Sequence, residues 1–349
     1  MNPALSMMGE GDTPLLVSRR IGPERGARRL YFKLESCNPS GSYKDRFIAA
    51  ELSSLMKRGV RTCVATSSGN TGSALAAGCA RFDMRCHILV NDDAPVGKLI
   101  QMQAHGAKVI RVPRFVSDPG VTDRVFAQLR AYSKSAGAAL VVSAFRYCPE
   151  GMGGVERIAW ELTVAFGGAK EIDGVFVPVG GGGLYSAVVQ GFQKRGSAVP
   201  KVHVVQPAGC STVAAAFARG EREVRPVTAS TRVSGLSVPS DIDGGLALQR
   251  LRECGGTAFE ASDEEIFAAQ RLLMTQEGVY CEPAGAAALA GWLKARDAGV
   301  IDPSGAFVCL VTGHGFKDPV SVESAATKNP SRLLTLDEID RLADVLGAA

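Results

Sequence analysis

Four consecutive glycines, Gly180 to Gly183, stand directly behind an apolar run, 174–179, and ahead of a helical pattern, 184–194. Glycine loses more freedom on folding than any other residue, so four in a row behind a strand imply a use. The apolar run reads as a buried central strand. Strand, glycine turn and helix in that order leave backbone N–H groups free at a helix start, where they suit an anion. A plain flexible turn is the alternative. The rest of the chain repeats the pattern. Strands at 29–35, 61–66, 84–90, 108–112, 138–143, 201–206 and 306–312 alternate with helical spacing at 47–56, 73–81, 96–105, 121–135, 155–166 and 264–276. Alternation of this kind gives βαβ units and parallel sheets, hence an α/β fold. G-x-G-x-x-G is not completed, because Tyr185 occupies its last glycine position, and no Lys-Ser/Thr pair follows. A dinucleotide or nucleoside triphosphate site is therefore disfavoured.

A second stretch is Asn38-Pro39-Ser40-Gly41-Ser42-Tyr43-Lys44-Asp45-Arg46, between the strand 29–35 and the helix 47–56. Asn-Pro and Ser-Gly are turn pairs, which puts Lys44 near a helix start. A cation there opposes the helix dipole, as a neutral or imine-linked lysine would not. A solvated loop lysine is the alternative. The third is Ser67-Ser68-Gly69-Asn70-Thr71-Gly72, placed between the strand 61–66 and the helix 73–81. Its free N–H groups also suit a carboxylate or phosphate, although Ser, Asn and Gly serve equally as plain caps. The fourth is Thr312-Gly313-His314-Gly315-Phe316-Lys317-Asp318, behind the last core strand. Glu282-Pro283-Ala284 opens one more helix, with proline and an acid where a helix start favours them. The turn-rich segment 146–154 reads as a crossing between domains, 222–245 as a surface excursion near the site, and 336–346 as an amphipathic tail helix.

Bulk properties narrow the classes. The 349 residues are 46% hydrophobic and 21% charged, enough for two domains with a sizeable core. Net charge is +4, from 39 basic against 35 acidic residues, with no basic block, so no nucleic-acid partner is expected. Nine cysteines stand singly, without a C-x-x-C pair. That disfavours a metal site and a disulfide framework and favours a reducing cytoplasm. Residues 1–10 lack the pattern of a secretion signal, and no run approaches the ~20 apolar residues of a membrane span. The tail is too short for a separate regulatory domain.

Taken together and in order, the four motifs resemble the fold type II family of pyridoxal-phosphate enzymes, which includes threonine synthase, threonine and serine dehydratases and cysteine synthase. The resemblance runs from Gly9 to about Asp318. It implies a two-domain, tryptophan synthase β-like α/β fold, with residues 47–152 as the smaller domain and 1–46 with 153–349 as the larger. It implies pyridoxal 5′-phosphate as cofactor, an amino acid as substrate and a homodimer. Lys44 would form the Schiff base and act as the base. Gly180, Gly181, Gly182 and Gly183 would hold the cofactor phosphate, Asn70 the ring hydroxyl, and Thr312 would face the pyridine nitrogen. Ser67, Ser68, Gly69 and Thr71 would bind the substrate carboxylate. A hydroxyl at the ring nitrogen suits elimination or replacement at the β or γ carbon better than transamination.

The run around Lys44 and the Thr312–Asp318 motif look most like threonine synthase. Two departures stand against O-phosphohomoserine as substrate. The phosphate loop is four glycines, as in dehydratases, where threonine synthase carries Gly-Asn-Ala-Gly-Asn. Cys148 stands where that enzyme has a phosphate-binding arginine, two residues ahead of Glu150-Gly151, with Arg146 nearby as a substitute. Ser68 takes the place of a second acid/base in the dehydratase and racemase branch. A dehydratase and a cysteine synthase-type β-replacement enzyme therefore stay open. So does a pseudoenzyme on the same fold, although Lys44, Asn70, the glycines and Thr312 are intact.

Overall fold

A computed structural model describes residues 7–347 apart from 95, 116, 117, 197 and 328, with only the backbone of 343 and 345. Part of the 1–10 segment lies outside the described residues. Among the described residues, ten strands form two sheets. Strands β1 (Leu15–Val17), β2 (Leu30–Leu34), β7 (Gly174–Pro178), β8 (Lys201–Pro207), β9 (Ala258–Ala261) and β10 (Phe307–Val311) make one, in the order β1-β2-β10-β7-β8-β9. Strands β3 (Thr62–Ala65), β4 (Arg85–Asn91), β5 (Lys108–Val112) and β6 (Ala139–Leu140) make the other, in the order β5-β4-β3-β6. All pairings are parallel except β1 on β2. β1 is a short edge strand with Leu16 and Val17 exposed, and so carries no hydrophobic alternation to reveal it.

The helices are α1 (Lys44–Lys57), α2 (Asn70–Arg81), α3 (Val96–Ala104), α4 (Pro119–Ala136), α5 (Pro149–Val155), α6 (Arg157–Ala165), α7 (Gly183–Lys194), α8 (Val213–Ala218), α9 (Gly244–Glu253), α10 (Asp263–Glu277), α11 (Pro283–Asp297), α12 (Pro319–Ala326), α13 (Leu336–Ile339) and α14 (Leu342–Gly347). None described is long and apolar enough to cross a membrane. β7 is buried along its whole length, as its composition requires.

Two expectations change. Residues 149–155, in the segment read as turn-rich, form a helix. The glycines there serve close packing of α5 on α1: a Cβ at Gly151 would lie 2.5 Å from Phe47 Cε2, and one at Gly154 would lie 2.3 Å from Arg46 O. The tail helix is broken into α13 and α14. Its apolar residues Leu336, Ile339, Leu342 and Leu346 are all exposed, so no packing sustains one continuous helix.

Beneath α1 lies a buried ionic network. Arg46 is 1% exposed. Its Nε and Nη2 donate to Glu35 at 2.6 and 2.8 Å, and its Nη1 to Glu161 Oε1 at 2.5 Å. Lys33 Nζ donates to Glu161 Oε2 and to Thr13 O, both at 2.6 Å. Burial alone would raise Glu161, but Arg46 and then Lys33 outweigh it and hold the carboxyl at about 2. This network joins β2, α1 and α6 under the turn that carries Lys44.

Candidate active site

The carboxyl ends of β3, β6, β7 and β10 open onto one cavity of about 510 Å³. In a parallel sheet this is where ligands bind. Its wall contains Lys44, Ser67, Ser68, Gly69, Asn70, Thr71, Gly180, Gly181, Gly182, Gly183 and Thr312, so every site residue named from the sequence comes together here.

Lys44 is the first residue of α1. The turn before it is stitched to the end of β10. Ser42 bridges Gly313, Tyr43 N–H donates to Thr312 O at 3.1 Å, and His314 N–H donates to Gly41 O at 2.9 Å. Lys44 Nζ donates to Ser143 Oγ at 2.8 Å. Ser143 ends the fifth expected strand, 138–143, and belongs to no motif, so nothing in the sequence marks it. Asp45, beside Lys44, is wholly buried and accepts from Ser40 N–H at 2.9 Å. Burial pushes its carboxyl up to about 6, against the Ser40 bonds and Lys317.

Two helix starts face the cavity. At α7 the N-cap is Gly182, with φ +96°, and the helix has no side-chain cap. The N–H groups of Gly181, Gly182, Gly183 and Leu184 take no protein acceptor among the described residues. Asp243 closes the turn from behind. Its N–H donates to Gly181 O at 2.8 Å, and its carboxylate accepts from Phe145 N–H at 2.7 Å and Arg146 N–H at 3.3 Å. At α2 the N-cap is Gly69, again without a side-chain cap. The N–H groups of Asn70 and Thr71 likewise take no protein acceptor among the described residues. Ser67, Ser68 and Thr71 line the cavity beside this second set.

An amine and two unsatisfied N–H cradles in one cavity fit a phosphorylated aldehyde cofactor held beside a carboxylate-bearing substrate. A family model described as "Pyridoxal-phosphate dependent enzyme" matches residues 7–313.

The chain belongs to this family.

Among curated relatives, it is 33% identical to threonine synthase of Halalkalibacterium halodurans, over 94% of this chain and 89% of that protein. It is 33% identical to threonine synthase of Methanocaldococcus jannaschii, over 89% of this chain and 76% of that one. Among solved structures, maize serine racemase superposes with a TM-score of 0.76 at 23% identity, covering 90% of this chain and 92% of that one. The processed threonine deaminase isoform 2 of Solanum lycopersicum superposes with a TM-score of 0.74 at 19% identity, covering 99% and 87%. The fold is therefore that of the fold type II pyridoxal-phosphate enzymes, and this protein is a pyridoxal-phosphate-dependent lyase, threonine synthase-like in sequence.

Arg146, the candidate substitute for the missing arginine, does not line the cavity. It is exposed and has its guanidinium 6.0 Å from the Tyr147 ring centroid. Cys148 is buried, with Sγ 3.8 Å from Leu140 O, and burial pushes its thiol up to about 12. The cations on the described wall are Lys44, Lys98 and Lys317. Lys98, on α3, donates to Ser234 Oγ at 2.8 Å across the cavity mouth. Lys317 donates to Gln101 Oε1. Burial lowers its ammonium pKa, while Glu282 and Asp45 oppose that shift. The excursion 222–245 reaches the cavity through Ser234, Gly235, Leu236, Ser237, Val238 and Ile242. Of the residues that sequence reasoning missed, Lys317 lay inside a motif already singled out, whereas Lys98, Asp243 and Ser143 lay in none. Glu282 was noticed only as a helix opener.

Proposed function

We propose that this lyase acts on an amino acid bearing a leaving group at its β or γ carbon, by elimination or replacement. The observation that carries this reading is one cavity presenting Lys44 Nζ, a bare glycine cradle and a hydroxyl-bearing cradle together. One amine and two anion sites match one cofactor and one amino acid. When bound, pyridoxal phosphate supplies an electron sink next to the substrate nitrogen.

The roles divide as follows. Lys44 would hold the cofactor covalently through Nζ and, once the substrate amine has displaced that nitrogen, would take the α-proton; Ser143 Oγ accepts from Nζ at 2.8 Å and orients it. N–H groups of Gly180, Gly181, Gly182 and Gly183 hold the cofactor phosphate. Asn70 meets the ring hydroxyl, and Thr312 the ring nitrogen. Ser67, Gly69 and Thr71 bind the substrate carboxylate with Ser68, whose hydroxyl also serves as a second acid/base. The wall lacks an arginine among its described residues, which supports a leaving group other than phosphate. A second reading, serine or threonine dehydratase, is favoured by the four-glycine loop and Ser68. Cysteine synthase-type β-replacement is the third.

We also take the two sheets to mark two domains, 47–152 and 1–46 with 153–349, the boundary falling within α5. A cytoplasmic homodimer completes the reading. All nine cysteines are free and seven are buried, which favours a reducing compartment.

The test is an absorbance scan of purified protein with serine, threonine, O-acetylserine, O-phosphoserine and O-phosphohomoserine added singly. The expected result is a visible cofactor band that shifts with one of them and is lost in Lys44→Ala. Keto-acid release marks the dehydratase, and threonine from O-phosphohomoserine marks the synthase. A protein that stays colourless with excess cofactor overturns the proposal.

A further inference from the structure

Glu282 is the N-cap residue of α11, where a carboxylate ordinarily serves the free N–H groups of the helix. It makes no such bond. Its side chain turns instead into the cavity, where Oε1 accepts from Asn70 Nδ2 at 2.7 Å. The backbone fixes this direction. Glu282 N–H donates to Gly313 O at 3.1 Å, directly after Thr312. Gly313 makes the room: a Cβ there would lie 2.0 Å from Glu282 Oε1 and 3.2 Å from Asn70 Nδ2. The carboxyl and amide therefore rest on the bare Cα of a glycine, and Glu282 as a whole is 6% exposed.

We infer that Glu282 is a positioning residue for Asn70, setting which edge of its carboxamide meets the cofactor's ring hydroxyl and hence how firmly that hydroxyl keeps its proton. This rests on the placement of Asn70 against that hydroxyl under the proposed function. A carboxylate can only accept, so it takes one amide N–H from Asn70. A carboxylic acid can also donate, so it can take Oδ1 and turn the amide nitrogen to the cavity. A charged Glu282 also disfavours negative charge on a ring oxygen bonded to the same amide, whereas a neutral one does not. The groups facing it are Asn70 from α2, Lys98 from α3, and Lys317 and Asp318 behind β10. Asp45, at the start of α1, acts on Lys317. Burial pushes the carboxyl up to about 7, with the Asn70 bond and Lys317 opposing, so it changes charge near neutrality.

The experiment compares wild type with Glu282→Gln in two states. In the loaded enzyme, the visible bands are titrated between about pH 6 and 9. The midpoint should differ by about one pH unit between the two proteins, the size of one charge–dipole neighbour. The difference should vanish in an Asn70→Ala background, because the effect travels through that amide. In cofactor-free protein, urea midpoints are measured across the same range and below it. The folded pKa of Glu282 is raised above its unfolded value of 4.5, so its stabilising contribution is present below 4.5 and lost as pH rises to about 7. Wild type should therefore lose stability relative to Glu282→Gln over that window. Superimposable band titrations, or parallel urea curves, overturn the inference. A wild-type enzyme with no visible band overturns the underlying reading as well, and the urea curves then show separately whether Glu282 holds its proton.

Discussion

The two helix starts in the cavity share an architecture and differ in how they are finished. Both follow a parallel strand, lack a side-chain cap and leave N–H groups without protein acceptors. The α7 start is built of glycine alone and is tied down. Asp243 binds Gly181 O with its backbone and the N–H groups of Phe145 and Arg146 with its side chain. The α2 start carries hydroxyls; its Gly69 N–H donates to Ser67 Oγ at 3.3 Å, and the Asn70 side chain donates to Glu282. Gly69 is exposed, whereas Gly182 and Gly183 are buried. A cradle backed by Asp243, with Gly182 and Gly183 buried, suits an anion that stays, as a cofactor phosphate would. An open cradle with adjustable hydroxyls suits an anion that exchanges on each turnover. Under the proposed function, identical backbone chemistry would serve two lifetimes, set by what surrounds each turn.

The largest test acts below both. Arg46→Ala leaves Glu35 buried without its cation and Glu161 with Lys33 alone, which should cost about 3–5 kcal/mol in a urea melt. It should weaken both cradles together, since it removes the base of the Lys44 turn. The network has a pH signature. Glu161 is depressed to about 2, so its stabilising contribution is complete above the ordinary value of 4.5 and is lost as pH falls from there to about 2. The expected result is a stability gap between wild type and Arg46→Ala that narrows as pH falls below 4.5.

Next comes Gly182→Ala, which separates the cradles. The residue has φ +96°, and its Cβ would stand 2.6 Å from Asp243 O. Strain of about 1–3 kcal/mol and a displaced turn should weaken cofactor binding roughly a hundredfold, read by fluorescence titration. Unchanged affinity would show that the bare turn is not the phosphate site. The smallest effect on cofactor belongs to Gly72→Ala, whose Cβ would meet Ser67 O at 2.2 Å. It should push the Ser67 turn outward, raising KM for the amino acid about tenfold, with cofactor affinity nearly unchanged. If Gly72→Ala instead lost the cofactor first, the assignment of staying and exchanging anions would be reversed.

Much of this was legible early. Strands and helices followed from apolar spacing, and β5 matched its expected bounds, 108–112. Other ends moved by a few residues: α1 begins at Lys44 and α2 at Asn70, inside the motifs, because each turn passes straight into helix. Short exposed elements such as β1 left no pattern. Glycine was ambiguous. In 180–183 it opens a cradle, but in 151–154 it lets α5 approach α1, and a sequence does not distinguish a turn from a close crossing. Arg146 looked like a substitute for the missing arginine because it is near in sequence. The chain there enters α5 with Cys148 inward and Arg146 in solvent.

The sequence by itself determined the α/β alternation and marked the two small-residue helix starts and the lysine-bearing turn. These are properties of local backbone, fixed by residue type and spacing over a few positions. Only the tertiary structure decided that Ser143 holds Lys44 across 99 positions and that Glu282 meets Asn70 across 212. It alone turned Glu282 away from its own helix and Arg146 away from the cavity. Such pairings depend on where whole strands end in space and on the room that one glycine leaves, and no local pattern encodes either.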